Sequence, residues 1–298
     1  MSDQKNLKIA IGYDPFYELG KQAATNHHWQ NAITLFEESL NHYGINVSTL
    51  YNCALAHSQL GQYEKTLEYL KKIDLENNNL NKYKALYNSI NCMLTREKKF
   101  GIEDCNTKLA YSSEIRLSLL GVHFSKRLYN MQQDSEIRSL TRLKRLLSVE
   151  QTRNWINEEC SRENKITFAV IHEKFGMIGL TALEMYGKGA LFHYWIGKEY
   201  QNKGYGTIAL NLLTQCAKQL SIEYCFSSVF PNNIQSINAM KKVGFEEIPN
   251  VREIDSVPLP FYYKKTSCDI LDDKNAYQKV FNEIIKQTAI PIKEFTDI

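Results

Sequence analysis

The spacing of apolar residues changes period along the chain. From Tyr13 to about residue 112 they recur every three or four positions, the spacing of helices packed on one face. A longer period lies over the short one. Trp29 and Tyr63 stand 34 residues apart, and the same offset relates Ala32 to Thr66 and Phe36 to Leu70. Paired helices at that period predict a helical repeat. The first unit runs from about Tyr13, with Phe16, Leu19, Gly20, Ala23, Trp29, Ala32 and Phe36 at equivalent places. The second runs from about Val47, with Leu50, Ala54, Gly61, Tyr63 and Leu70. Small residues let paired helices approach, and large ones fill the seam. After Asn77-Asn78-Asn79, which reads as a loop, residues 81–112 keep Tyr87 and Leu94 but lack a Gly-x-Tyr turn. They read as a degenerate third unit that caps the stack.

From Ile115 strands and helices mix. Ile115–Gly121 reads as a first strand and Ser125–Leu147 as a basic helix carrying Lys126, Arg127, Arg138, Arg142, Lys144 and Arg145. Ser148-x-x-Gln151 is a capping box that starts a helix over 149–161. Ile166–His172 alternates as a strand, with Gly176–Met185 as its hairpin partner. Gly187-Lys188-Gly189 turns the chain into an apolar, aromatic strand, Ala190–Gly197. A loop, Gln201-Asn202-Lys203-Gly204-Tyr205-Gly206, leads to a helix over Thr207–Ala217. Ile222–Phe230 is a strand, and Asn233–Val243 a helix closed by Gly244. A last strand holds Phe261-Tyr262-Tyr263, an amphipathic helix spans Asp272–Gln287, and the tail to Ile298 carries no pattern. The fold class is α+β: an all-helical repeat followed by a mixed sheet with flanking helices.

Composition narrows the reading. At 298 residues the chain is long enough for two cores, and 43% hydrophobic with 23% charged residues is the make-up of a globular protein. A net charge of +3 is too small for a surface that coats nucleic acid. No run of 18 apolar residues predicts a membrane span, and Met1-Ser2-Asp3-Gln4-Lys5 lacks a signal peptide's apolar core. The seven cysteines have no metal-ligand spacing; Cys53, Cys92, Cys105, Cys160, Cys216 and Cys225 sit in apolar or periodic segments. The expectation is buried free thiols in a reducing cytoplasm, with no metal.

Strand, glycine loop and helix together make an anion site. Gly204 and Gly206 let the backbone turn tightly and aim successive N–H groups at one point, and the helix N-terminus adds its dipole. A Walker loop would need Gly-Lys-Ser/Thr, which is absent. A dinucleotide fingerprint tolerates Ala209 in its third glycine slot, but it expects an acidic residue ending the second strand, and Glu223 opens one. A further block, Asn233-Ile234-Gln235-Ser236 followed by Lys242-Val243-Gly244-Phe245, lies downstream.

Taken together, Gln201-x-x-Gly204-x-Gly206, this Asn-x-x-Ser…Lys-x-Gly-Phe block and Tyr194-Trp195-Ile196-Gly197 resemble the GNAT acetyltransferases over roughly Ile115 to Lys265. The branch they resemble includes RimJ and RimL, which acetylate ribosomal-protein N-termini. The resemblance implies acetyl-CoA as acyl donor, without a metal. It implies that Asn202, Lys203, Gly204, Tyr205, Gly206 and Thr207 hold the pyrophosphate, with Gln201 bracing the loop and Lys203 adding a cation. It gives main-chain contacts with pantetheine to Trp195, Ile196 and Gly197. Asn233 would bond the pantetheine amide, and Ser236 would return a proton to the thiolate; otherwise the pair is an N-cap and a solvent-facing serine. Many relatives hold a carboxylate near the place of Leu191, so the base must lie elsewhere. Glu184 and His193 are the candidates, although a histidine in an apolar strand is more often packed than catalytic. Tyr194 and Trp195 are core or pocket wall, and Tyr262 and Tyr263 pocket lining or core. The basic helix either attracts an acidic substrate or is a solvated face.

The expectation is a repeat domain over 1–112, an acetyltransferase domain over 113–268, and a C-terminal helix and tail over 269–298. The activity expected is acetyl transfer to a primary amine of a protein or peptide docked by the repeat. Two rivals stand: a small-amine acetyltransferase (for an antibiotic or a polyamine) whose helical module dimerises, and an inactive CoA-binding interaction protein.

Overall fold

The computed structural model describes residues 13–73, 81–102, 114–141, 145–253, 258–266, 276–288 and 290–294. Asn77–Asn79, Cys105, Arg142, Lys144 and the first residues of the chain lie outside them. The chain divides into two compact units, Met1–Tyr87 and Asn88–Ile298.

The first unit is built of helices: α1 (Pro15–Thr25), α2 (Trp29–Tyr43), α3 (Val47–Gln59), α4 (Tyr63–Lys71) and the start of α5 (Asn81–Phe100). The Asp14 side chain caps α1 by accepting from Tyr17 N–H, with Pro15 in the first turn, and Asn46 caps α3. Trp29 and Tyr63 each open the second helix of a pair and are buried. Ala32 and Thr66, and Phe36 and Leu70, are buried at the same 34-residue offset. Where a third helix pair begins, α5 instead continues unbroken for 20 residues, because no Gly or Pro interrupts it. Its later turns belong to the second unit: Ser89 Oγ lies 3.4 Å from His123 Nδ1, and Lys99 pairs with Glu163 at 3.8 Å.

Among the described residues the second unit carries one sheet of eight strands: β1 (Ile115–Leu119), β2 (Lys165–His172), β3 (Gly176–Tyr186), β4 (Gly189–Ile196), β5 (Tyr224–Ser228), β6 (Glu246–Glu253), β7 (Leu259–Lys265) and β8 (Ile292–Glu294). Their order is β1-β2-β3-β4-β5-β7-β6-β8, antiparallel except for the β4–β5 pair. Helices α6 (Ser125–Met131), α7 (Ser135–Thr141) and α8 (Val149–Ser161) cover one face, where Leu128, Ile137 and Ile156 meet Ala169, Leu180 and Trp195. Helix α9 (Tyr205–Gln219) packs on β1, β3 and β4, and α10 (Ile234–Val243) packs on α9. The final helix, α11 (Ala276–Thr288), packs Phe281 and Ile284 on Phe226 and Phe261.

Three features differ from the sequence reading, the first two for local reasons. The single basic helix breaks at residues 132–134, where Asp134 Oδ1 caps a new helix by accepting from Glu136 N–H and Ile137 N–H at 2.9 and 3.0 Å. Strand β6 was hidden by its charges and by Pro249, and its ladder with β7 breaks register between Glu247 and Arg252. Cys53, Cys216 and Cys225 are buried thiols as expected, but Cys92 is exposed.

Candidate active site

The site begins where two strands part. β4 pairs with β5 only from Gly189 to Leu191, against Tyr224 to Phe226. On its other side β4 stays paired with β3 as far as Ile196, opposite Gly179. The β4 main chain from Phe192 onward therefore has no strand neighbour toward β5, and of its carbonyls on that edge Ile196 O accepts instead from the Gln201 side chain. Two cavities, of about 360 and 250 Å3, fill this region. Tyr194, Trp195, Asn233 and Ser236 form walls of both. The larger extends to the glycine loop, and the smaller to Glu184, His193 and Ser227.

The loop is held at both ends. Gly204 takes the left-handed φ of +81° that starts α9, and Asn202 is also left-handed at +62°. Ile208 N–H closes the first turn on Gly204 O, so the N–H groups of Tyr205, Gly206 and Thr207 precede the first helical bond. Gln201 Nε2 donates to Ile196 O at 3.0 Å, a brace between loop and β4. Lys203 folds back instead, its Nζ donating to Glu199 O at 3.1 Å and lying 5.7 Å from the Tyr200 ring centre.

Arg127 corrects the reading of the basic helix as a surface. It is buried, donating through Nε to Met177 O at 3.0 Å and through Nη2 to Glu199 and Tyr200 Oη at 2.7 and 2.8 Å. It clamps the 198–200 turn that leads into the loop. Arg138 likewise spends its guanidinium on the carbonyls of Gln132 and Gln133, at the end of α6. Neither guanidinium is left for an acidic substrate.

On the far wall Asn233 Oδ1 caps α10 by accepting from Ser236 N–H at 3.1 Å. Ser236 is only partly exposed, and its hydroxyl is engaged within the protein. Its Oγ donates to Tyr194 Oη at 3.0 Å, and Tyr194 Oη donates to Ser236 O at 3.4 Å. Burial pushes the Tyr194 phenol above its ordinary pKa, so it keeps its proton. The structure thus places a tyrosine hydroxyl beside Ser236, brought by β4 and not by α10.

The two base candidates sit on the other face of β4. Glu184 lies opposite Leu191, and Ala182 opposite His193. Glu184 Oε1 accepts from Arg162 Nη2 and from Tyr186 Oη, each at 2.5 Å. Burial, then the Lys165 and Arg162 cations, push His193 down to about 3, so its imidazole is neutral at ordinary pH. Lys165 itself is buried against Glu159 at 2.6 Å. Tyr262 and Tyr263 line neither cavity: Tyr262 is buried and donates to Glu247, and Tyr263 stacks on Tyr277 at 4.0 Å. Trp195 is buried in the cluster under α6 to α8 as well as walling the cavities.

Residues 117–246 match the model of the acetyltransferase (GNAT) domain. The chain carries a GNAT acetyltransferase domain. Enzymes of this kind transfer the acetyl group of acetyl-CoA to an amine, and the domain covers β1 through the start of β6. Solved structures align over about half of the chain. A spermidine N-acetyltransferase from Vibrio cholerae, in complex with CoA and spermine, is 19% identical over 52% of this chain and 97% of its own, at a TM-score of 0.48. The microcin C7 self-immunity acetyltransferase, with acetyl-CoA and AMP, is 18% identical over 52% and 93%, at 0.46. An acetyltransferase of the GNAT family from Bacillus anthracis is 17% identical over 52% and 96%, also at 0.46. No curated protein matches the sequence. Among the described residues no three His, Cys, Asp or Glu side chains gather as a metal site, and no helix is long and apolar enough to cross a membrane.

Proposed function

We propose that the protein acetylates a primary amine of a protein or peptide, which its N-terminal helical unit docks. The observation that carries the catalytic part is the junction of the two cavities at Tyr194 and Ser236. The larger cavity runs from there to the glycine loop, as a donor with a long pantetheine arm requires. The smaller approaches the same point from Glu184 and His193, as an acceptor requires. Acetyl-CoA supplies the activated acetyl group. The N–H groups at the start of α9 would hold its pyrophosphate, and Asn233 and the open edge of β4 its pantetheine arm.

The chain's own groups manage two protons. Glu184 would take the one shed by the attacking ammonium, directly or through water. It stands across the ladder from Leu191, so its carboxylate arrives from the neighbouring strand at the level where many relatives hold one. His193 is the weaker acceptor, because burial, and after it the cations nearby, disfavour its protonated form. Tyr194, partnered by Ser236, would supply the proton that the leaving sulfur needs.

The docking role rests on the helix pairs repeated at 34 residues, with matched buried positions. We assign them to a tetratricopeptide-like module of a cytoplasmic enzyme, in the RimJ/RimL-like branch. Paired-helix stacks present extended surfaces that suit peptides. The test is an acceptor panel read by release of free thiol from acetyl-CoA: peptides with free N-termini, polyamines and aminoglycosides. Turnover is expected with peptides at the lowest KM. Turnover confined to small amines would overturn the docking role, and CoA binding without any turnover would overturn catalysis.

A further inference from the structure

The first residue of α9 has a tyrosine side chain that leaves the loop and crosses to the sheet edge. Tyr205 Oη donates to Glu114 Oε2 at 3.3 Å and lies 3.2 Å from His172 Nε2. His172 Nε2 is itself 3.1 Å from Glu114 Oε2. The tautomer is set by the other nitrogen: His172 Nδ1 accepts from Lys174 N–H at 3.0 Å, so the proton sits on Nε2. Histidine and tyrosine therefore both donate to one carboxylate. His172 is buried, with Tyr205 edge-on to its ring at 5.3 Å and Phe175 at 4.6 Å. None of the three lines either cavity, so none touches the reacting atoms.

The loop needs such an anchor. Asn202, Lys203 and Gly204 are exposed, and two of them are left-handed. Upstream, Gln201 ties the loop to β4. Downstream, Tyr205 ties the first helical residue to Glu114, just before β1, and to His172, at the end of β2. Its backbone N–H is one of those a pyrophosphate would meet.

We propose that Tyr205, fixed by Glu114 and His172, is a positioning residue that holds the N–H groups of the glycine loop in the geometry that binds CoA. This rests on the reading of that loop as the pyrophosphate site. A fixed donor set gains affinity because less ordering remains to be done on binding. The Tyr205–Glu114 bond is exposed to solvent, so losing it should weaken binding about threefold to tenfold, the range of an ordinary hydrogen bond.

The experiment is titration calorimetry with CoA on the full chain, together with acetyl-CoA kinetics. Tyr205→Phe keeps the ring and removes the hydroxyl; Glu114→Ala removes the shared acceptor; Glu114→Gln restores a neutral one. Both removals should weaken CoA by about threefold to tenfold, the double variant should be no weaker than either, and Glu114→Gln should recover most of the loss. The effect should fall on the KM for acetyl-CoA and not on kcat. Lowered melting temperatures with unchanged CoA affinity would overturn the proposal, as would additive losses. Gly206→Val separates this from failure of the loop assignment. If it leaves CoA affinity unchanged in a folded protein, the loop is not the pyrophosphate site and both readings fall. If it abolishes binding while Tyr205→Phe and Glu114→Ala do nothing, only the anchor is refuted.

Discussion

The sharpest test of the proposed chemistry is removal of the Tyr194 hydroxyl. Tyr194→Phe deletes the oxygen that lies 3.0 Å from Ser236 Oγ and leaves the ring in place. The size of the effect follows from the acidities involved. A thiol titrates near 8.5 and a phenol near 10 in water, and burial raises Tyr194 further. Full proton transfer from Tyr194 to a thiolate is thus uphill, and the phenol helps only while the carbon–sulfur bond is breaking. A positioned acid contributes about 10²–10⁴-fold; an acid so weakly matched belongs at or below the low end. Tyr194→Phe should lower kcat roughly tenfold to a hundredfold, with little change in the KM for acetyl-CoA. Ser236→Ala should lower it by about tenfold, since Tyr194 remains. The double variant should be no slower than Tyr194→Phe, because the two hydroxyls serve one proton. The assay is thiol release at saturating acceptor under conditions where chemistry limits the rate. Losing the bond also costs about 1 kcal/mol of stability, so melting temperatures must be measured beside the rates. A Tyr194→Phe enzyme with wild-type turnover and a lowered melting temperature would reduce the pair to a strut between β4 and α10.

The remaining predictions concern the helical unit and pH. Deleting residues 1–112 should unfold the acetyltransferase domain, because the later turns of α5 belong to it and carry the buried Ile90 and Met93. Deleting 1–80 should leave a folded domain that still acetylates a small model amine but has lost its affinity for the natural acceptor, as circular dichroism and thiol release would show. His193 is held down to about 3 when folded, against 6.5 unfolded, so it contributes stability that is complete above pH 6.5 and lost as pH falls toward 3. Melting temperature against pH should therefore fall less steeply below pH 6.5 in His193→Asn than in the wild type; identical slopes would refute the assignment.

How much of the site was legible in the sequence can be judged from two residues. Glu184 follows by counting. A two-residue turn, Gly187 and Lys188, joins β3 to β4 and sets Tyr186 opposite Gly189, and stepping along the ladder brings Glu184 to Leu191. The position of Glu184 beside Leu191, on which the proposed base rests, was therefore legible from sequence alone, by register. Tyr194 follows by alternation. Phe192, Tyr194 and Ile196 share one face of β4, and Phe192 meets Phe245 just past the end of α10. A search for an acid confined to α10 finds no tyrosine and stops at Ser236, although the strand beneath supplies one 42 residues earlier.

What was not legible depends on contacts that no local pattern encodes. Arg127 reads as one more charge on a basic helix, and only the fold brings Met177 O, Glu199 and Tyr200 to it, at separations of 50 to 73 residues. Burying such a group requires every donor to be met, and the partners come from β3 and from the turn before the glycine loop. The same logic hid Tyr205, Glu114 and His172, which lie up to 91 residues apart and form a unit only at the sheet edge. Local spacing located the loop; the groups that hold it still came from other elements, because a loop of exposed, left-handed residues has few contacts of its own. The glycines give the backbone its turn, and the side chains that flank them give the turn its place.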